Sequence, residues 1–104
     1  MVQLPKKLNF VYDDGHAWLK VPCEVVKRFA LTPTSYSYYN EGYYYLEEDC
    51  DATRFINAVG KFVNNSEKAG YVDQYILTHD RLKIQIGEVY DGHYSKIRSF
   101  QSAS

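Results

Sequence analysis

The run Tyr36-Ser37-Tyr38-Tyr39-Asn40-Glu41-Gly42-Tyr43-Tyr44-Tyr45 continues without a break into Leu46-Glu47-Glu48-Asp49-Cys50-Asp51. Aromatic side chains suit the pleated surface of a strand, and Glu41-Gly42 supplies a turn with a residue that accepts positive φ. The stretch therefore reads as a hairpin with strands near 35–40 and 43–48. By the alternation of a strand, Tyr36 and Tyr38 share one face and Tyr39 lies on the other, while Tyr43 and Tyr45 oppose Tyr44 and Leu46. One face has to be core, so the other exposes two or three tyrosines.

The acidic exit of the hairpin leads into a helix. Asp49 or Asp51 can cap it, and Phe55, Val59 and Phe62 with Ala52, Ile56 and Val63 repeat at helical spacing over 52–63. Towards the N-terminus, Leu8, Phe10 and Tyr12 alternate with polar or smaller neighbours. Asp13-Asp14-Gly15-His16 is a turn, 17–21 a return strand, and Pro22 the start of a first helix that runs to Leu31 before Thr32-Pro33. Towards the C-terminus, Leu82, Ile84 and Ile86 alternate, and Asp91-Gly92-His93 joins them to a last strand over 94–100, a C-terminal hairpin followed by a frayed tail. The segment 64–70 is polar, and 71–78 fits either a short helix or a strand. The whole predicts a single small α+β domain over residues 1–104: an antiparallel sheet of about six strands in hairpins, with two or three helices packed on one face.

Composition limits the function. With 104 residues and a net charge of −1, the chain can bury a core but has no global basic field for phosphate backbones or anionic lipid, so neither nucleic acid nor a membrane is expected as partner. No apolar run approaches the roughly 18 residues of a membrane span. Two cysteines, Cys23 and Cys50, without a signal peptide predict free thiols in a reducing, cytoplasmic setting. Cys23 falls on the apolar stripe of the first helix and Cys50 is the more exposed thiol.

Recognisable chemistry is sparse. His16, Cys23, Cys50, His79 and His93 lack the close ligand pairs of zinc sites. A calcium loop starting at Asp49 would put Arg54 where the turn needs Gly and Gly60 where a bidentate Glu is required. Asp49-Cys50-Asp51-Ala52-Thr53 has the D-x-D-x-T form of a phosphatase nucleophile loop, but Glu47 and Glu48 precede it where a buried parallel strand should stand. Paired acids could support hydrolysis, yet neighbours in a strand point to opposite faces. No catalytic residue, metal ligand or cofactor site is assigned. One echo stands out: Val11-Tyr12-Asp13-Asp14-Gly15-His16 against Val89-Tyr90-Asp91-Gly92-His93. It reads either as shared Asp-Gly turn chemistry or as two histidines converging on one site.

The tyrosines carry the functional reading. Tyrosine offers a large, rigid contact area with a polar tip, and from Tyr36 to Asp51 there are five acids and no Lys or Arg. Such a surface repels phosphate and attracts basic protein patches. The candidate binding residues are Tyr36, Tyr38, Tyr39, Tyr43, Tyr44, Tyr45, Glu47, Glu48 and Asp49, together with His16 and Trp18.

Three blocks, Gly15-His16-Ala17-Trp18-Leu19-Lys20-Val21-Pro22, Tyr36-Ser37-Tyr38 and Tyr45-Leu46-Glu47-Glu48-Asp49-Cys50-Asp51 with Phe55 following, resemble the GHxWLxVP, YSY and YLEEDxD pattern of a family of small uncharacterised proteins encoded by bacteriophages and plasmids. Ala17 replaces a glycine of that pattern, and 64–81 is longer than usual. The resemblance implies context rather than activity: a viral accessory protein of the host cytoplasm that binds, or inhibits in an anti-CRISPR-like manner, a host or antiviral-defence protein with a basic patch. The alternatives are a small metal-dependent hydrolase or nuclease using Asp14, His16 and the acids of 47–51, and a self-associating structural protein.

Overall fold

The computed structural model describes residues 4–64, 75–79 and 82–104. Its strands are β1 (Lys7–Tyr12), β2 (Ala17–Pro22), β3 (Tyr38–Asn40), β4 (Tyr43–Glu47), β5 (Tyr75–His79), β6 (Leu82–Tyr90) and β7 (Gln101–Ser102). Two helices, α1 (Cys23–Arg28) and α2 (Asp51–Asn64), and a 3-10 turn over Lys96–Ser99 complete the order. All seven strands form one sheet in the order β5-β6-β1-β2-β4-β3-β7. The α+β class holds, and among the described residues no helix is long and apolar enough to cross a membrane.

The tyrosine hairpin forms as its sequence dictates. Glu41 (φ 48°) and Gly42 (φ 85°) both occupy the left-handed region, the geometry of a tight turn whose twist matches the flanking strands. Tyr38 pairs with Tyr45 and Tyr39 with Tyr44. β3 is only three residues long, because 34–37 forms a turn, and Tyr36 belongs to that turn rather than to a strand.

The two sheet faces have separate cores. On one, Leu8, Leu19, Val21, Leu46, Ile84 and Ile86 meet Val25 and Val26 of α1 and Ala52, Phe55, Ile56 and Val59 of α2. The helical spacing of α2 thus buries one stripe against the sheet, and both helices lie on this face. On the other, Trp18 and Tyr45 pack with Ile97, flanked by Val11, Tyr38 and Phe100.

The expected antiparallel sheet is mixed. β1 and β6 run parallel, with Leu8 opposite Ile86, Val11 opposite Val89 and Tyr12 opposite Tyr90. Apolar alternation records which face of a strand is buried but not its direction, and β6 enters beside β1 only after the chain has crossed the helix face. Nor is there a C-terminal hairpin. After β6 the chain makes the 3-10 turn, and β7 pairs with β3, so the tail expected to fray is held by Tyr38↔Ser102, Tyr39↔Gln101 and a bond from Ala103 N–H to the Ser37 carbonyl (3.0 Å). The 71–78 ambiguity resolves from residue 75 onward as β5, antiparallel to β6, while 65–74 lies outside the described residues. α1 stops at Arg28, short of the expected Leu31, because Ala30 turns left-handed (φ 55°) and its N–H bonds the Lys27 carbonyl (2.9 Å).

Candidate functional site

The parallel pair explains the sequence echo. Because Tyr12 lies beside Tyr90, the Asp-Gly-His turns that follow emerge from the same end of the sheet. They bond directly: Asp14 accepts from the Tyr90 hydroxyl (2.5 Å) and meets His93 Nδ1 at 2.6 Å. These bonds hold the Asp14 carboxyl below its usual range and raise the Tyr90 phenol. The shared-turn reading and the convergence reading are therefore both partly met. The turns converge, but His93 pairs with Asp14 while His16 faces Arg98.

Asp13 organises this end of the sheet. Its carboxylate is buried and accepts from the N–H groups of Gly15 and His16, from Ser95 N–H and hydroxyl, and from Arg98 Nε (2.8 Å) and Nη2 (3.2 Å). The Arg98 guanidinium in particular drives the Asp13 carboxyl far below the carboxylate range. Arg98 Nη2 also lies 2.7 Å from His16 Nδ1. A guanidinium can only donate, so this nitrogen accepts and the imidazole proton sits on Nε2.

The turn that presents Tyr36 is pinned by a second buried carboxylate. Asp51, in the first turn of α2, accepts from Thr34 N–H and hydroxyl (both 2.8 Å), from Ser37 Oγ (2.5 Å) and from Arg54 Nη1 (2.8 Å). Burial would raise its pKa, but these bonds outweigh burial and hold it below the usual value. Asp51, one of the two residues expected to cap α2, therefore ties the helix start to the tyrosine turn instead.

Two grooves flank the Asp13–His16 turn, and His16 lines both. One, about 400 Å³, lies among Phe10, Tyr12, Glu48 and Glu88. The other, about 500 Å³, is lined by Trp18, Tyr36, Tyr38, Glu47, Asp49, Cys50 and Arg98. β4 ends at Glu47, which lines one groove, and Glu48 in the turn that follows lines the other, which separates the carboxylates that a hydrolytic pair would have brought together. Burial, with repulsion from Asp49 and Glu47, pushes the Glu48 carboxyl up.

Not every candidate reaches the surface. Trp18 (2% exposed) and Tyr45 (8%) lie in the second core, covered by Ile97 and Phe100, and are not free contact residues as expected. A strand over 94–100, as expected from the sequence, leaves nothing to cover that face, whereas the 3-10 turn brings Ile97 onto it. Tyr36 is 68% exposed and Tyr43 38%, while Tyr38, Tyr39 and Tyr44 are half-buried, the last two in an edge-to-face pair at 5.9 Å. Arg98, Tyr90 and Tyr94, which the sequence reading did not single out, join the site. Of the three, the Val-Tyr-Asp echo contains only Tyr90.

Trp18 has one further property. Its indole Nε1 is buried with no hydrogen-bond partner among the described residues, an arrangement that costs about 1–3 kcal/mol. Its ring stacks on His16 (5.9 Å), meets Tyr38 edge-on (6.0 Å) and lies 5.4 Å from the Arg98 guanidinium. Both cysteines are free thiols. Among the described residues no group of three or more His, Cys, Asp or Glu side chains is placed to hold a metal ion.

No family model, curated protein or solved structure matches this chain.

Proposed function

We propose that this protein is a non-enzymatic binding protein that docks a basic surface of another protein against the acidic, tyrosine-lined end of its sheet. The observation that carries the reading is the groove beside His16, where the exposed Tyr36 ring and Tyr38 stand with Glu47 and Asp49. Aromatic area with a carboxylate rim suits a cationic protein patch and disfavours phosphate. The resemblance to proteins of bacteriophages and plasmids makes a host or defence protein the partner class, and inhibition by occupying its basic groove the mode of action.

The metal-dependent hydrolase reading has less support. Asp14 is taken up by Tyr90 and His93, His16 by Arg98, and the acids of 47–51 are divided between two grooves and the Asp51 bond network. Affinity capture from the host, comparing the native protein with a Tyr36→Ala/Asp49→Asn variant and a Glu24→Gln control on the outer face of α1, tests the binding reading. A partner retained by the native protein and the control but lost with the double variant is the expected result. Identical capture by all three contradicts it.

A further inference from the structure

The groove beside His16 already shows how it holds a guanidinium. Arg98 is clasped through two nitrogens by the Asp13 carboxylate and lies against two aromatic rings, 5.4 Å from Trp18 and 4.7 Å from Tyr94. The same kinds of group line the groove a few side chains away: Glu47, whose carboxylate accepts from the Asp49 N–H, and Asp49 as carboxylates, and Tyr36 and Tyr38, the latter edge-on to Trp18, as rings. The Arg98 charge is offset by the ionised Asp13, so it does not bar a second cation. Independently, the wall of this groove contains the buried Trp18, whose indole N–H lacks an acceptor among the described residues.

We propose that this groove is an arginine-recognition site for a peptide segment of the partner, with the guanidinium held by Glu47 and Asp49 over Tyr36 and Tyr38, beside the wall that Trp18 forms. Arginine fits better than lysine because its planar fork matches carboxylates and stacks on aromatic faces with little desolvation cost. The groove's volume, about 500 Å³, is within the roughly 300–1,000 Å³ of small ligand sites. The assignment rests on the docking reading above and specifies the chemistry of its centre.

Trp18 is the sole tryptophan, so its indole reports on the site alone. The probe is the capped pentapeptide acetyl-Gly-Arg-Gly-Arg-Gly-amide, set against the same peptide with citrulline, a neutral isostere, in place of arginine. Titration of the native protein should shift the indole N–H resonance, since Trp18 lies in the groove wall, and affinity should fall about tenfold or more with citrulline or with Glu47→Gln/Asp49→Asn, as expected for a charge-assisted pair. Tyr36→Ala, at an exposed position that leaves both cores intact, should weaken the arginine peptide too. Equal affinity for the two peptides, or an indole resonance that stays put at saturating arginine peptide, overturns the assignment. The docking reading fails separately: a captured partner lost with Tyr36→Ala/Asp49→Asn, together with a silent indole, keeps the surface and removes the arginine site. A responsive indole with no captured partner does the reverse.

Discussion

At the scale of single residues, two buried carboxylates do most of the positioning. Asp51 joins the tyrosine turn to α2, and removing it strands Thr34 and Ser37 donors that have no other use. Asp51→Ala should therefore lower stability by about 3 kcal/mol, the upper end for stranded buried donors, as read by urea denaturation. Asp13 and Asp51 both have folded pKa values depressed below those of the unfolded chain. The stability they contribute is complete above the ordinary carboxylate pKa of about 4 and is lost as pH falls from there towards their folded values. The native protein should show an acid-unfolding limb below about pH 4 that flattens in Asp13→Asn and Asp51→Asn. Glu48 has the opposite sign. Its folded pKa is raised, so its ionisation opposes folding above the ordinary glutamate value. Glu48→Gln should raise the melting temperature at pH 7 and leave it unchanged at pH 3, measured by thermal scans at both values.

At the scale of elements, the parallel β1–β6 pair is the feature on which the site depends, because it brings the two Asp-Gly-His turns together. Its close approach is visible at Gly87, opposite Asn9, where an added Cβ would lie 2.5 Å from Asn9 Oδ1 and 3.0 Å from Lys7 Cε. Both contacts are with the ends of side chains that can turn aside, so Gly87→Ala should cost less than about 1 kcal/mol by urea denaturation, and Asn9→Ala in the same protein should recover most of it. If the double variant is no more stable than Gly87→Ala alone, that contact is not the constraint. Much at this scale was legible in the sequence. The tyrosine hairpin, its Glu41-Gly42 turn, the β1–β2 hairpin and α2 all follow from local pattern and turn chemistry. The parallel pairing was not, since the same alternation serves either direction, and the only trace was the Val-Tyr-Asp repeat whose members lie in register. α1 stops at Arg28 before a left-handed Ala30, without the glycine that marks such stops, so its length was equally hidden.

At the scale of the whole molecule, the chain folds back on itself to make a second core. Ile97 and Phe100 cover Trp18 and Tyr45, and β7 closes the sheet on β3. No local pattern announces this, because Lys96–Ser99 is a 3-10 turn whose one buried side chain, Ile97, sits among polar neighbours. The consequence for function is that the tyrosine run is shared between core and surface: Tyr45 stabilises, Tyr36 and Tyr43 are presented, and Tyr38 borders both. Deleting residues 95–104 should uncover Trp18, giving a red-shifted tryptophan emission and binding of a hydrophobic dye, with the α2 core retained by far-ultraviolet dichroism. An unchanged emission maximum would mean that the second core does not depend on the C-terminal segment.

The docking surface is the account's central claim, and its charge makes it directly measurable. Once the captured partner is purified, its affinity should be followed as a function of salt concentration for the native protein and for Glu47→Gln/Glu48→Gln/Asp49→Asn. The expected result is an affinity that falls steeply with salt for the native protein and is both weaker and nearly salt-independent for the triple variant. Equal affinities with the same salt dependence for the two proteins would contradict the claim.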